Sequence, residues 1–458
     1  MIWQALRDSV QRLTTQVFGS QLRLNMTSGL VTTAINAVVL AIAYPIYLHF
    51  LGYEKYGVWL VLATILGFAQ LGELGIGQAV MKLVAEEHGR GNIDGIQRYV
   101  TTALALLCFS GTVALTAILI FKTQIIAVFK LSDDNAKVVL WLLPYIGCLS
   151  IYVFIVQALN ATLSGLGRMD LANYIQSIGR VVAITVAATL LYRGMGIESL
   201  LIANSLSYAF IHILSLICIW RIAHIRLLRM DNLDVQRGKR IVHFGGAVLA
   251  GTVVSMLGSP FNKLMLSRYV GVASIPVYEI CYSGAIMVRN LIETGFKALM
   301  PEISRISGNM TRHAKDRITQ IYRRAMRLIF LFGIPIYGVM LILATPLLRI
   351  WLGESFVVTI PSVLRIMLVA TFINLLGVPS YHFLMGMGHI RDIFAARSIT
   401  WLTSMALVTM VAVKTNHLSA TIVSLCLSIS WFLSSTYLIL RFRSVMLICE
   451  KTVSTIEE

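Results

Sequence analysis

Twelve apolar stretches, at residues 27–50, 57–82, 98–121, 138–162, 173–192, 199–220, 241–266, 274–299, 325–345, 359–385, 395–414 and 419–440, set the limits on this fold. Each is about the 20 residues needed to cross a bilayer. Inside lipid there is no water to satisfy a backbone N–H or C=O, so such stretches close their hydrogen bonds internally as helices. With 57% apolar and 13% charged residues and a mean hydropathy of +0.79, the chain is unlike a soluble domain of its size. The expected fold class is an all-α membrane protein of about 12 transmembrane helices.

The stretches fall into two sets of six. Leu163-Ser164-Gly165-Leu166-Gly167-Arg168 returns as Leu384-Met385-Gly386-Met387-Gly388-His389, 221 residues later. Leu51-Gly52-Tyr53 matches Val270-Gly271-Val272 at an interval of 219, and Glu73-Leu74-Gly75 matches Glu293-Thr294-Gly295 at 220. Three matches in order at a near-constant interval indicate an internal repeat, hence two six-helix lobes, with a cleft between the halves as the first place to seek function.

The expected organisation has five parts. An amphipathic surface helix spans 1–26, with Ile2, Trp3, Leu6, Val10, Leu13 and Val17 on one face. An N-lobe spans 27–220, a basic linker 221–240, a C-lobe 241–440 and a polar tail 441–458. An even number of spans places both termini on one side. That side carries 25 of the Lys and Arg residues against 8 opposite, so the termini are expected in the cytoplasm. The formal net charge of +17 is read as this topology signal plus attraction to anionic lipid headgroups, with no need for nucleic acid.

Enzymatic and cofactor chemistry finds little support. The six cysteines form no CxxC pair and the nine histidines no HExxH, so neither a disulfide framework nor a metal centre is expected. No GxxxxGK[ST] loop is present. The Gly165-Leu166-Gly167 and Gly386-Met387-Gly388 strings follow helices instead of strands and read as tight turns, not as phosphate cradles. Short outer loops leave no room for an external catalytic domain, so the chain is not expected to be an enzyme.

With cations at or near the ends of their stretches, such as Lys82, Arg98, Arg327 and Arg397, counted among the loop cations, five cations remain inside the apolar stretches: Arg180, Lys263, Arg289, Lys297 and Arg365, accompanied by Glu73, Glu279 and Glu293. A charge at a helix centre costs roughly 2.5 to 3.5 kcal/mol, so those lying deep must face protein or a water-filled cavity. Arg289, Glu293 and Lys297 form one stripe at i, i+4 and i+8, where the carboxylate can neutralise either neighbour. Arg180 has only Asn173, Gln176 and Ser177 nearby on its helix. Lys263 lies near a span end, where its ammonium can reach the interface, and Arg365 sits one turn past Pro361. Five cations against three anions favour an anionic substrate over a cationic one. Pro45, Pro144, Pro260, Pro335 and Pro379 each remove a helix hydrogen bond and permit bends.

Tyr44-Pro45-Ile46-Tyr47, then Leu51-Gly52-Tyr53-Glu54-Lys55-Tyr56-Gly57-Val58-Trp59, then Gly72-Glu73-Leu74-Gly75-Ile76-Gly77, resemble the first two helices of one transporter family. It is the polysaccharide transporter branch of the multidrug/oligosaccharidyl-lipid/polysaccharide (MOP) exporter superfamily. Leu163 to Arg168 resembles the turn after the fourth helix of that branch. The resemblance implies a MATE-like fold and the work of a Wzx-type flippase. Such a protein moves undecaprenyl-pyrophosphate-linked oligosaccharide, an O-antigen or exopolysaccharide repeat unit, from the inner to the outer leaflet of the bacterial inner membrane by alternating access.

It further implies a basic lumen that binds the substrate through Arg180, Arg289, Lys297, Arg365 and Lys263. Glu73 and Glu293 are the ion-coupling candidates, for a proton or a sodium ion, with no other cofactor. The implied partners are the polyprenyl-pyrophosphate-linked oligosaccharide, membrane lipids, and the polysaccharide polymerase and glycosyltransferases of the same pathway, around a monomer. A small-molecule or multidrug exporter of the superfamily is one alternative reading. A membrane enzyme of polysaccharide assembly is the other.

Overall fold

The computed structural model describes residues 20–69, 75–223, 233–297, 312–415 and 417–457, together with 303 and 306. Every regular element among them is helical: α1 Ser20–Ala69, α2 Ile76–Gly89, α3 Ile93–Ile120, α4 Lys122–Phe129, α5 Asp133–Gly165, α6 Met169–Tyr192, α7 Glu198–Ala223, α8 Val235–Tyr269, α9 Ser274–Lys297, α10 Arg312–Leu328, α11 Ile334–Leu352, α12 Ile360–Gly386, α13 Ile390–Thr415 and α14 Ala420–Glu457, plus two short turns. Nine helical stretches among the described residues are long and apolar enough to cross a membrane. The first, Thr27–Gly67, contains the expected first span and the start of the second, and α8 and α9 occupy the seventh and eighth. Most of the expected surface helix, residues 1–19, lies outside the described residues.

Backbone geometry shows why the glycine landmarks recur. α1 bends at Gly52, where φ is 68° and ψ 175°, and Gly271 in the matching position of the second half has φ 112°. Gly167 and Gly388 have φ of 78° and 81°, the left-handed region that glycine enters without steric cost. Around the first, Arg168 N donates to Leu163 O and Gly167 N to Ser164 O; around the second, His389 N donates to Leu384 O and Gly388 N to Met385 O. This is a helix C-terminal cap that satisfies the last orphan carbonyls. The expected tight turns are present at both copies.

The described residues form two compact units. Unit 1 draws on Met1–Phe50, Ile65–Ile125 and Ala136–Ala250; unit 2 draws on Leu51–Thr64, Ile126–Asn135 and Gly251–Glu458. The core of unit 1 is built from α2, α3, α5, α6 and α7 around Val80, Val100, Leu107, Phe154 and Leu159. Small residues let helices approach: a Cβ on Gly111 would meet the Ile151 side chain, and one on Gly179 would meet Ile211. In unit 2, Phe383, Leu384, Leu438 and Phe442 enclose a core that Ile318 of α10 also enters. The two segments that unit 2 takes from the first half are anchored there. The Tyr53 hydroxyl donates to Ser355 O at 2.6 Å, the Ser267 hydroxyl donates to Phe129 O at 2.8 Å, and Gly57 lies directly against the Val272 backbone.

The start of α8 is fixed by Asp234. Its Oδ1 accepts from Gln236 N at 2.9 Å and Arg237 N at 3.1 Å, and its Oδ2 lies 3.2 Å from Arg237 Nε. The Arg237 backbone hydrogen bond, helped by that of Gln236, holds this carboxyl below the usual carboxylate range. A depressed folded-state pKa means that the cap is fully present above the ordinary carboxylate pKa and is lost as pH falls through the folded value. Asp234→Ala should therefore speed hydrogen exchange of the Gln236 and Arg237 amides at neutral pH. The wild type should converge on the variant in acid.

Candidate functional site

Helix α9 carries Arg289 and Glu293 on one face, as their spacing predicts. Arg289 Nη2 and Glu293 Oε2 stand 2.6 Å apart, with side chains 20% and 14% exposed. The pairing uses the neighbour toward the N-terminus; the side chain of Lys297, at the end of α9, lies outside the described residues. Across from it, α12 presents His382, 6% exposed at the side chain, with Nε2 3.6 Å from Glu293 Oε1. Both ring nitrogens of His382 lack a hydrogen-bond partner among the described residues.

The other sequence candidates separate by environment. Lys263 of α8 meets Glu279 of α9 at 2.9 Å, where both side chains are largely buried, so the ammonium is engaged inside unit 2 instead of reaching for an interface. Ser283 Oγ donates to Glu279 Oε1 at 3.3 Å. Arg365 is exposed and bridges to α11: its Nε donates to Leu341 O at 3.2 Å and its Nη2 to Thr345 Oγ1 at 3.1 Å. The carbonyl that holds it comes from the neighbouring helix, not from the turn freed by Pro361. Glu73 lies outside the described residues.

Arg180 belongs to unit 1, at the end of a polar seam between α1 and α6. Asn25 Nδ2 donates to Gly167 O at 3.0 Å, and Asn25 Oδ1 accepts from Asp170 N at 3.0 Å. Above them Asn173 Nδ2 donates to Ser28 Oγ at 3.0 Å, and Ser177 Oγ to Thr32 Oγ1 at 3.0 Å. These rungs climb both helices by about one turn each, so Asn36 and Arg180 follow next. The Asn36 side-chain oxygen is shielded from solvent and accepts nothing among the described residues. Arg180 is exposed on α6 and makes no hydrogen bond or ion pair among the described residues.

Unit 2 also contains a cavity of about 340 Å³. Arg289 and Glu293 reach it from α9, Asn374 and Tyr381 from α12, Arg397 and Trp401 from α13, and Trp431 from α14. Arg397 Nη2 donates to the Tyr381 hydroxyl at 2.8 Å and pairs with no carboxylate among the described residues. Trp401 lies flat against Gly258 of α8, where a Cβ would strike its ring. The sequence reading places Arg397 among the loop cations and does not single out His382, Tyr381, Trp401 or Trp431. The missed signal was helical spacing: Arg397, Thr400 and Trp401 stand at i, i+3 and i+4, one polar and aromatic face on an otherwise apolar stretch. Asp170 and Asp392, which repeat four residues beyond Leu166 and five beyond Met387, were also missed; each anchors the turn that follows its glycines.

Nine membrane-length helical stretches among the described residues, with glycine-capped turns repeated in both halves, define a multi-pass membrane protein. The chain matches the family described as polysaccharide biosynthesis protein over residues 48–361, and it belongs to that family. It is 20% identical over 341 residues to a Shigella flexneri protein described as an O-antigen transporter, covering 74% of this chain and 78% of that one. Its fold is shared with an inward-facing multidrug resistance MATE family transporter of the MOP superfamily: TM-score 0.73, 14% identity, 95% of this chain and 96% of the other. It is shared equally with the lipid II flippase MurJ in an inward closed conformation: TM-score 0.73, 13% identity, 93% and 91%.

Proposed function

We propose that the protein is a flippase that carries undecaprenyl-pyrophosphate-linked oligosaccharide from the inner to the outer leaflet of the bacterial inner membrane by alternating access, acting as a monomer with both termini cytoplasmic. The observation that carries this reading is a guanidinium without a carboxylate partner among the described residues in a membrane-length helix of each unit: Arg180 in α6 and Arg397 in α13. Unpaired charges at such positions are costly, and the anionic groups of the substrate compensate them on binding. The family, the O-antigen transporter relative and the fold shared with a lipid II flippase all point the same way. A negative-inside potential assists outward movement of the anion, by roughly 2.3 kcal/mol per charge per 100 mV.

Coupling to an ion gradient is assigned to Glu293, with Glu73 as the candidate in unit 1. Arg289 beside Glu293 repels a metal cation, which favours a proton over sodium. Polymerase and glycosyltransferases of the same assembly route are the proposed partners. The test is deletion of the gene followed by assay of the orientation of lipid-linked oligosaccharide. It should accumulate on the cytoplasmic face, wild type should clear it, and Arg180→Ala and Arg397→Gln should each slow clearance at least about tenfold. Full clearance by both variants would reject the role of these residues in binding the anionic substrate, and an unaltered leaflet distribution on deletion would reject the flippase itself.

A further inference from the structure

We propose that the unit 2 cavity is a binding site for a carboxylate-bearing sugar ring of the transported oligosaccharide, an inference that rests on the flippase reading. Its size sets the first limit. About 340 Å³ is near the lower end of the roughly 300 to 1,000 Å³ of small-molecule sites, enough for a ring and not for an entire lipid-linked chain. The walls set the second. Tyr381, Trp401 and Trp431 bring aromatic surface from three helices, and the flat C–H faces of a pyranose lie well on such rings. Trp401 is held in place by Gly258, and Trp431 is stacked on Tyr282 with ring centroids 6.3 Å apart, so both are set before a ligand arrives.

Charge distinguishes the class of ring. Arg289 is neutralised by Glu293 at 2.6 Å, which leaves Arg397 as the uncompensated guanidinium of the cavity among the described residues. Arg397 Nη2 is oriented by the Tyr381 hydroxyl at 2.8 Å, with the guanidinium carbon 5.8 Å from the Tyr381 ring centroid. One planar cation suits one carboxylate, which accepts two parallel hydrogen bonds. A pyrophosphate, with more charge and no ring face, would leave the tryptophans without a partner. Asn374 also lines the cavity, and its amide supplies a donor and an acceptor for ring hydroxyls.

The site is tested by saturation-transfer NMR on the purified protein in lipid nanodiscs, with methyl glucuronide, methyl glucoside and inorganic pyrophosphate as probes. The expected result is saturation of the glucuronide ring protons at least about threefold above the glucoside, undiminished by equimolar pyrophosphate. Arg397→Gln should bring glucuronide down to the glucoside level, Arg397→Lys should restore part of the difference, and Gly258→Leu, which displaces Trp401, should lower both signals. Equal signals from the two sugars in the wild type, no signal from either, or displacement by pyrophosphate would each overturn the sugar site. If the wild type clears lipid-linked oligosaccharide from the cytoplasmic face yet binds neither sugar, this inference falls and the flippase stands. If glucuronide binds through Arg397 but deletion leaves the leaflet distribution unchanged, the flippase falls and the sugar site stands.

Discussion

Lys263→Met should destabilise the protein by about 3–5 kcal/mol, because it leaves the Glu279 carboxylate largely buried without its counter-charge. The ammonium stands 2.9 Å from that carboxylate, and the two side chains are 12% and 17% exposed. One residue earlier on each helix, Asn262 Nδ2 donates to the Tyr278 hydroxyl at 2.9 Å, so the α8–α9 interface is a two-rung polar ladder inside apolar surroundings. Removing both charges in Lys263→Met/Glu279→Leu should recover most of the loss, since a well-packed apolar pair avoids the desolvation penalty altogether. Denaturation of the wild type, the two single variants and the double variant gives the coupling energy directly. The charge-swapped Lys263→Glu/Glu279→Lys protein decides the role of the lysine. Retained flipping makes it a structural ion pair, and lost flipping in a folded swap makes it the substrate contact that its position in an apolar stretch suggests.

Asp392→Ala should cost about 2–3 kcal/mol, the range for hydrogen bonds to a charged group whose partners are then left unmatched. Its Oδ1 accepts from the Tyr437 hydroxyl at 2.9 Å and from Arg441 Nε at 2.9 Å, and its Oδ2 lies 3.4 Å from His389 Nδ1. The carboxylate thus ties the α12–α13 turn to α14 from a site that is only 8% exposed. Asp392→Asn keeps one acceptor and should cost about half as much. The check is denaturant titration of both variants in one detergent. An Asp392→Ala midpoint equal to the wild type would show that the turn is held by its glycine cap alone.

The architecture was readable because a bilayer leaves the backbone few options. The apolar stretches are largely helical where they are described, and Gly167 and Gly388 took matching left-handed angles in the two copies of the turn. What periodicity could not supply was partnership between helices. Lys263 and Glu279 are 16 residues apart on different helices, and nothing in either stretch alone indicates that they meet. Arg289 and Glu293 were legible as a pair because one helix holds both; His382 joins them from 89 residues further along the chain. Trp401 and Trp431 share a cavity although each, viewed on its own helix, is one more apolar residue in an apolar run. Arg397 was hidden by its proximity to a helix start, where cations are ordinarily solvated.

The housing of Leu51–Thr64 and Ile126–Asn135 in unit 2 bears on how the molecule is made. A ribosome delivers both segments to the membrane long before residues 251–458 exist, so their final neighbours are absent during insertion. The Tyr53 hydroxyl waits for the carbonyl of a residue synthesised 302 positions later. Contacts of such sequence separation form late and slowly, which leaves these segments exposed to wrong neighbours or quality control in the interval. Expressing the first half alone would therefore give a fragment with two unsatisfied surfaces, and co-expressing the second half as a separate chain would give those surfaces their partners back.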